Sequence, residues 1–229
     1  SPIAIYLATS GIGELHLVDF DAVSVSNLHR QVFYKVEDIK KPKAEMLSKA
    51  VKERAPFTKV SFSNSAVDKN LILNLISGFD IVVDGTDSLP IKYLINDACV
   101  LLKKPLVYGS LYKFDGYVAT FNIQNNEGDF SCNLRDAFPK IATDIPNCEE
   151  VGTLNPIVGI IALLQVNEVI KLITNTGSLL INQLLIYNTL ENSQFKIKIR
   201  KSDFIHIKEI FKNSDYLETF CETQDASLL

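Results

Sequence analysis

The stretch that decides the fold is DIVVDGTDSLPIKYLINDACVLLKKPLVYGS, residues 80–110. It opens with DIVVDG (80–85), an apolar run that reads as a buried strand ending in a Gly-Thr-Asp turn. A helical pattern follows over about 88–102, and PLVYGS (105–110) reads as the next strand. Strand, helix and strand at this pitch form a right-handed crossover in a parallel sheet. The same rhythm runs upstream. PIAIYLATS (2–10) reads as a helix stopped by Gly11-Ile12-Gly13, and ELHLVDF (14–20) alternates as a strand. Pro42 is placed to open the helix PKAEMLSKAVKERA, which ends before Pro56, and TKVSFSN (58–64) is a strand. DKNLILNLISG (68–78) is a helix with Asp68 as its cap and Gly78 as its stop.

Downstream the rhythm changes. DGYVATFNI (115–123) reads as an antiparallel strand, and residues 124–150 form a long polar segment of the kind that is mobile or functional. Asn155-Pro156 opens an apolar helix to about Thr174, two strands follow (181–188 and 195–200), and 201–229 reads as a linker short of core residues. The expected class is therefore α/β: a Rossmann-like, mostly parallel sheet with helices on both faces, continued by antiparallel strands in the C-terminal half.

The chain has 229 residues, 47% hydrophobic and 22% charged, which excludes wholesale disorder. A net charge of −4 argues against nucleic acid or an anionic membrane as the main partner. The longest greasy stretch, Ile157–Leu164, is too short for a membrane span, so none is expected. The first residues lack a basic region and a cleavage site, so they do not read as a signal peptide. Cys99, Cys132, Cys148 and Cys221 form no CxxC pair, and a reducing cytoplasm is the expected setting. Cys99 reads as a small buried hydrophobe.

In a doubly wound sheet, ligands bind at the carboxyl ends of the strands. Asp19 ends one such strand, where an acid either accepts from a ribose hydroxyl or caps a loop. Asn27, Arg30 and Lys43 lie beyond it. Two cations and an amide there suit a polyphosphate, with Arg30 as a fork and Lys43 as a point charge. On local grounds a solvated basic face, with Lys40 and Lys41 as neighbours, is the simpler reading. Asp87 sits in a turn beyond a buried strand, placed either to hold Mg²⁺ or to cap the next helix. Gly11-Ile12-Gly13 is no phosphate cradle, because it follows a helix and precedes a strand.

Taken together, the blocks DFD (19–21), SNLHRQ (26–31), KPK (41–43), DGTD (84–87), NDACVLLKKPLVYGS (96–110) and NCEEVGTLNPIVGIIALLQVNEVIKLIT (147–174) are specific. In order and spacing they resemble the adenylating family that includes ThiF, MoeB, HesA and the ubiquitin-activating enzymes. The resemblance runs from Ser1 to about Arg200. It implies an adenylation domain over 1–200, with 201–229 leading toward a rhodanese-like domain. It also implies ATP and Mg²⁺ as cofactors, with Asp19 on the ribose and Asp21 beside it. Asn27, Arg30 and Lys43 would hold the triphosphate, Gln31 would lie in the same pocket, and Asp87 would organise Mg²⁺. Cys148 matches a loop cysteine that some members use as a sulfur or thioester carrier.

The activity implied is adenylation of the C-terminal glycine of a ubiquitin-like, β-grasp sulfur carrier, serving thiamine or molybdenum-cofactor synthesis. A homodimer is implied, with no nucleic acid or membrane as partner.

The departures carry expectations too. The family's Gly-rich loop should stand just before Ser1, so the expectation is a chain trimmed at its start. Where many members pair cysteines around a structural zinc, this chain has CNLR (132–135) and KIRKSDF (198–204), so no zinc is expected. Ser88 and Lys92 stand where the family usually has Asn and Arg, which suggests an altered carrier groove. Two other classes remain in play. One is a NAD-type oxidoreductase, which would leave Arg30, Lys43 and Asp87 without a job. The other is a non-catalytic scaffold half of a heterodimeric activating enzyme.

Overall fold

The structure is a computed structural model, and it describes residues 1–141 and 154–216. Its front half is built from α1 (Pro2–Thr9), β1 (Glu14–Val18), α2 (Lys43–Arg54), β2 (Lys59–Ser63) and α3 (Lys69–Ser77). Then come β3 (Val82–Val83), α4 (Leu89–Leu101), β4 (Leu106–Tyr112) and β5 (Asp115–Phe121). The short α5 (Leu134–Ala137), the long α6 (Asn155–Thr174), β6 (Gln183–Asn188), β7 (Ser193–Lys198) and α7 (Ile207–Asn213) complete it.

Strands β1 and β2 pair in parallel, as do β3 and β4, each pair joined through a helix. From β4 onward the sheet β3-β4-β5-β6-β7 is antiparallel. This is the expected α/β class, parallel first and antiparallel after, but β1-β2 forms a sheet of its own and only β3-β4 is parallel in the larger one, so the sheet is mixed rather than mostly parallel.

Side chains alternate across β4, and that alternation builds two layers. Leu106 and Tyr108 face a cluster with Leu94 and Ala98 of α4 and Ile72 of α3. Val107 faces the other way, against Leu7 of α1 and Val166 and Val169 of α6. A third cluster joins α1, α2, β1 and β2 around Val51 and Val60.

Helix α6 lies directly on β4 and β5. The close approach shows at two glycines: a Cβ on Gly116 would collide with Ile161, and one on Gly109 would push the end of the Gln165 side chain aside. Caps form where the sequence suggests. Asp68 accepts from the amides of Asn70 and Leu71, and Gly78 ends α3.

Three expectations need correcting. Helix α6 is, by length and composition alone, long and apolar enough to cross a membrane, which the sequence reading denied. It is nevertheless anchored in the fold by polar groups. Glu168, 2% exposed, accepts from Thr120 Oγ1 (2.6 Å) and the Leu180 amide (2.8 Å), and pairs with Lys171. The segment read as a linker from residue 201 instead supplies α7, and Tyr216 is buried in the cluster under α4. Lys69 clips this segment down by donating to the carbonyls of Lys212 and Ser214. Finally, the polar segment after 123 contains a capped turn of helix, in which the Asn133 side chain accepts from Arg135 N and Asp136 reaches back to the Asn133 amide.

Candidate active site

The loop from Asp19 to Lys43 folds back on itself. Ala22 bridges Pro42, the Val23 amide donates to Lys41 O, and the Lys43 amide donates to Asp21 O (2.8 Å). This places Lys43, at the head of α2, against the carboxyl end of β1. Its ammonium is 2.7 Å from Asp21 Oδ2, with the lysine side chain buried and the aspartate half-exposed. Asp19 Oδ1 accepts the Asp21 amide (3.0 Å), which turns the chain out of the strand. Burial pushes the Asp19 carboxyl up from its ordinary range, while that amide and Lys43 pull it down. The buried Tyr34 hydroxyl donates to the Lys43 carbonyl (3.2 Å) and braces the head of α2.

Asn27 is buried, and its carbonyl accepts from the amides of Arg30 and Gln31, so one turn sets all three. Among the described residues Arg30 makes a single 3.2 Å bond, to the Ser26 carbonyl, which leaves most of its guanidinium donors open there. Gln31 Oε1 is buried without a hydrogen-bond partner among the described residues. An orphaned acceptor beside a half-free guanidinium fits a missing polar ligand.

Asp87 lies in the turn after β3, which belongs to a different sheet from β1. The cap of α4 is Ser88, whose hydroxyl accepts from the Ile91 amide (3.4 Å). Asp87 is therefore not the cap, which removes the alternative weighed from sequence. It is exposed, and its carboxylate has no hydrogen-bond or ion-pair partner among the described residues. One free carboxylate suits Mg²⁺, which takes one or two from the protein and the rest from water and phosphate. No cluster of three His, Cys, Asp or Glu occurs among the described residues, so a dedicated cage is not built here.

The two halves of the site meet at the start of α1. Ile3 lies 4.0 Å from where a Cβ of Gly85 would stand, and Ser1 lies near Asp19 and Lys43. The N-terminal turn of α1 thus sits between the strand end carrying Asp19 and the turn carrying Asp87. Free amides at a helix N-terminus favour anions. Carboxylate, amide, lysine, arginine and helix end together can bind a polyphosphate nucleotide and neutralise charge as it reacts.

At the places where zinc-binding pairs would fall, the side chains are engaged otherwise. Cys132 is buried with Sγ 3.7 Å from the Ile199 carbonyl. Arg135 is instead paired bidentately with Asp97 (2.7 and 2.8 Å), over the Tyr93 ring at 4.8 Å. The loops around 132 and 200 are stitched by hydrogen bonds: Lys201 Nζ to Phe130 O, and Ser202 N to Asp136 Oδ1. Cys148 lies outside the described residues.

Sequence reasoning missed the buried polar group behind the DGTD turn. Asp84 is 1% exposed and paired with Lys92, and Lys92 is buried rather than facing a carrier groove. The only signal was a lysine on the apolar face of a helix.

Comparison with known proteins agrees with the geometry. Residues 1–204 match the ThiF family. A sulfur carrier protein adenylyltransferase of Thermus thermophilus is 36% identical over 203 residues, 88% of this chain and 75% of the relative. The adenylyltransferase and sulfurtransferase MOCS3 of Dictyostelium discoideum is 40% identical over 200 residues, covering 87% of this chain and 46% of the relative. Among solved structures, E. coli MccB with ATP superposes with a TM-score of 0.76 at 21% identity, over 90% of this chain and 62% of that one. The chain spans three quarters of the Thermus relative and under half of the MOCS3 relative.

Proposed function

The chain belongs to the ThiF family, and from that premise we propose that it adenylates the C-terminal glycine of a ubiquitin-like, β-grasp sulfur carrier, for thiamine or molybdenum-cofactor synthesis. The observation that carries this reading is the pairing of two half-sites across α1. One is a loop with Lys43, Arg30 and Asn27 suited to a triphosphate. The other is an exposed carboxylate, Asp87, without a structural job.

Asp19 accepts from the ribose, with Asp21 holding Lys43 in place, and Gln31 Oε1 gains the partner it lacks. Arg30, Asn27 and Lys43 grip the phosphates. The carrier's terminal carboxylate oxygen attacks the α-phosphorus in line, a P–O bond forms, and the bond to the bridging oxygen of the β-phosphate breaks. Pyrophosphate leaves with that electron pair, and the carrier is left as an acyl-adenylate. The protein contributes position and charge neutralisation rather than a nucleophile. Asp87 would hold Mg²⁺, which when bound would supply positive charge to the phosphates.

The same reading takes the protein as a zinc-free homodimer in a reducing, cytoplasmic setting. The partly exposed apolar side chains of α6, Leu163 and Ile173, support self-association, and the buried thiols of Cys99 and Cys132 support the setting. Residues 1–200 act as the adenylation domain.

ATP–pyrophosphate exchange by the full-length protein tests the reaction. Exchange that requires a β-grasp carrier with an intact C-terminal glycine is expected, and none with any such carrier would refute it.

A further inference from the structure

Behind the turn that carries Asp87 lies a buried polar set that takes no part in holding the nucleotide. Lys92, 3% exposed and one turn into α4, donates to Asp84 Oδ2 (2.9 Å) and to the Gly109 carbonyl on β4 (2.7 Å). Its ammonium also lies 5.2 Å from the centre of the Tyr108 ring. Asp84 uses its other oxygen to accept the Thr86 amide (3.0 Å). From the opposite face, Gln165 of α6 donates to the Asp84 carbonyl (2.7 Å) and the Val107 carbonyl (3.3 Å). Gly109 has no Cβ where that amide passes. Turn, strand end and helix are thus tied to β4 and α6 at once.

A buried ion pair is a poor device for stability alone, because desolvating both charges offsets most of their attraction. It does impose direction. Burial pushes the Asp84 carboxyl up, and Lys92 beside it opposes that shift. The Asp84 carboxyl, 2.9 Å from the Lys92 ammonium, accepts the Thr86 amide, while Ser88 fixes the start of α4. Asp87 is the residue between those two fixed points.

We propose that Lys92 and Gln165 are positioning residues for adenylation, holding the 84–87 turn through Asp84 so that Asp87 projects at the α-phosphate. The proposal rests on the functional reading above. A group that acts through Asp87 loses its effect once Asp87 is gone, and a group with a merely structural role does not.

The test is a double-mutant cycle in the full-length protein. Lys92→Met, Lys92→Arg and Gln165→Met are each made alone and with Asp87→Asn, and kcat and KM for ATP are measured by carrier-dependent pyrophosphate exchange. Lys92→Met is expected to lower kcat by about tenfold or more while KM for ATP moves less than about threefold. In the Asp87→Asn background the same change is expected to cost less than about twofold, and Lys92→Arg to retain most of the rate. An equal loss in both backgrounds, or a rise in KM with kcat kept, overturns the proposal. If Lys92→Met does not fold, Gln165→Met, which leaves the ion pair intact, is judged by the same criteria. Full activity of Asp87→Asn would defeat the functional reading itself; strong dependence on Asp87 with additive losses defeats this proposal alone.

Discussion

At Asp87 the chain exposes a carboxylate between a strand end and a helix cap, with no protein partner among the described residues. If it organises charge at the reacting phosphate, Asp87→Asn should lower pyrophosphate exchange by about 10²–10³ with the thermal unfolding midpoint unchanged. A rate within about tenfold of wild type would contradict the assignment. Asp19 adds a pH signature. Its carboxyl is raised by burial, so on acidification it protonates earlier than an ordinary aspartate. The ionised acceptor that a ribose hydroxyl needs is present above that raised value and lost below it. KM for ATP should therefore climb as pH falls through it, and Asp19→Asn should flatten the profile. Cys148 stands apart. Glu149 and Glu150 flank it and work against a reactive thiolate. Because the carrier's own carboxylate attacks, Cys148→Ala should keep pyrophosphate exchange, and thiocarboxylate formation on the carrier is the step to assay for a loss. At this scale the local pattern marked Asp19 and Asp87 as acids beyond a strand, whereas for Asn27, Arg30 and Lys43 it favoured a solvated basic face, and only the resemblance to the family made them a proposed phosphate grip. Asp84 and Lys92 were not legible: their pairing spans a turn, and nothing in the sequence says that a lysine on an apolar helix face finds a carboxylate there.

Elements followed their local signals where those signals were chemical. The Asp68 cap, the Gly78 stop and the Asn155-Pro156 start of α6 all stand where the residues put them. Strand ends were less legible: the run read as 80–85 is strand only at Val82 and Val83, because Asp84, whose amide still donates to Val107 O, turns its carbonyl to Gln165 and its side chain to the Thr86 amide. Helix α7 carried too weak an apolar pattern to be seen, and its place is set by long-range contacts from Lys69 and Tyr216. The close seat of α6 on β4 gives an element-scale prediction. Gly109→Ala pushes a methyl into the Gln165 amide and breaks its bonds to Asp84 and Val107. Overpacking of this kind costs about 1–3 kcal/mol. Denaturant unfolding should show that loss, and an unchanged midpoint would mean that α6 shifts freely on the sheet.

For the whole molecule, what the sequence made plain was the family, because the motif blocks recur in order from Ser1 to about Arg200, and the family match covers residues 1–204. What it left open was convergence, since Asp19 and Asp87 are 68 residues apart and only the seat of α1 between their strand ends relates them. The central proposal is that the two half-sites form one nucleotide pocket. The most direct measurement is intact-mass spectrometry of the carrier after incubation with the full-length protein, ATP and Mg²⁺. The account predicts an adenylyl group on the carrier's C-terminal carboxylate, formed with wild type and lost with either Lys43→Met or Asp87→Asn. An unmodified carrier with wild type, or an adduct that forms equally well with either variant, would contradict it.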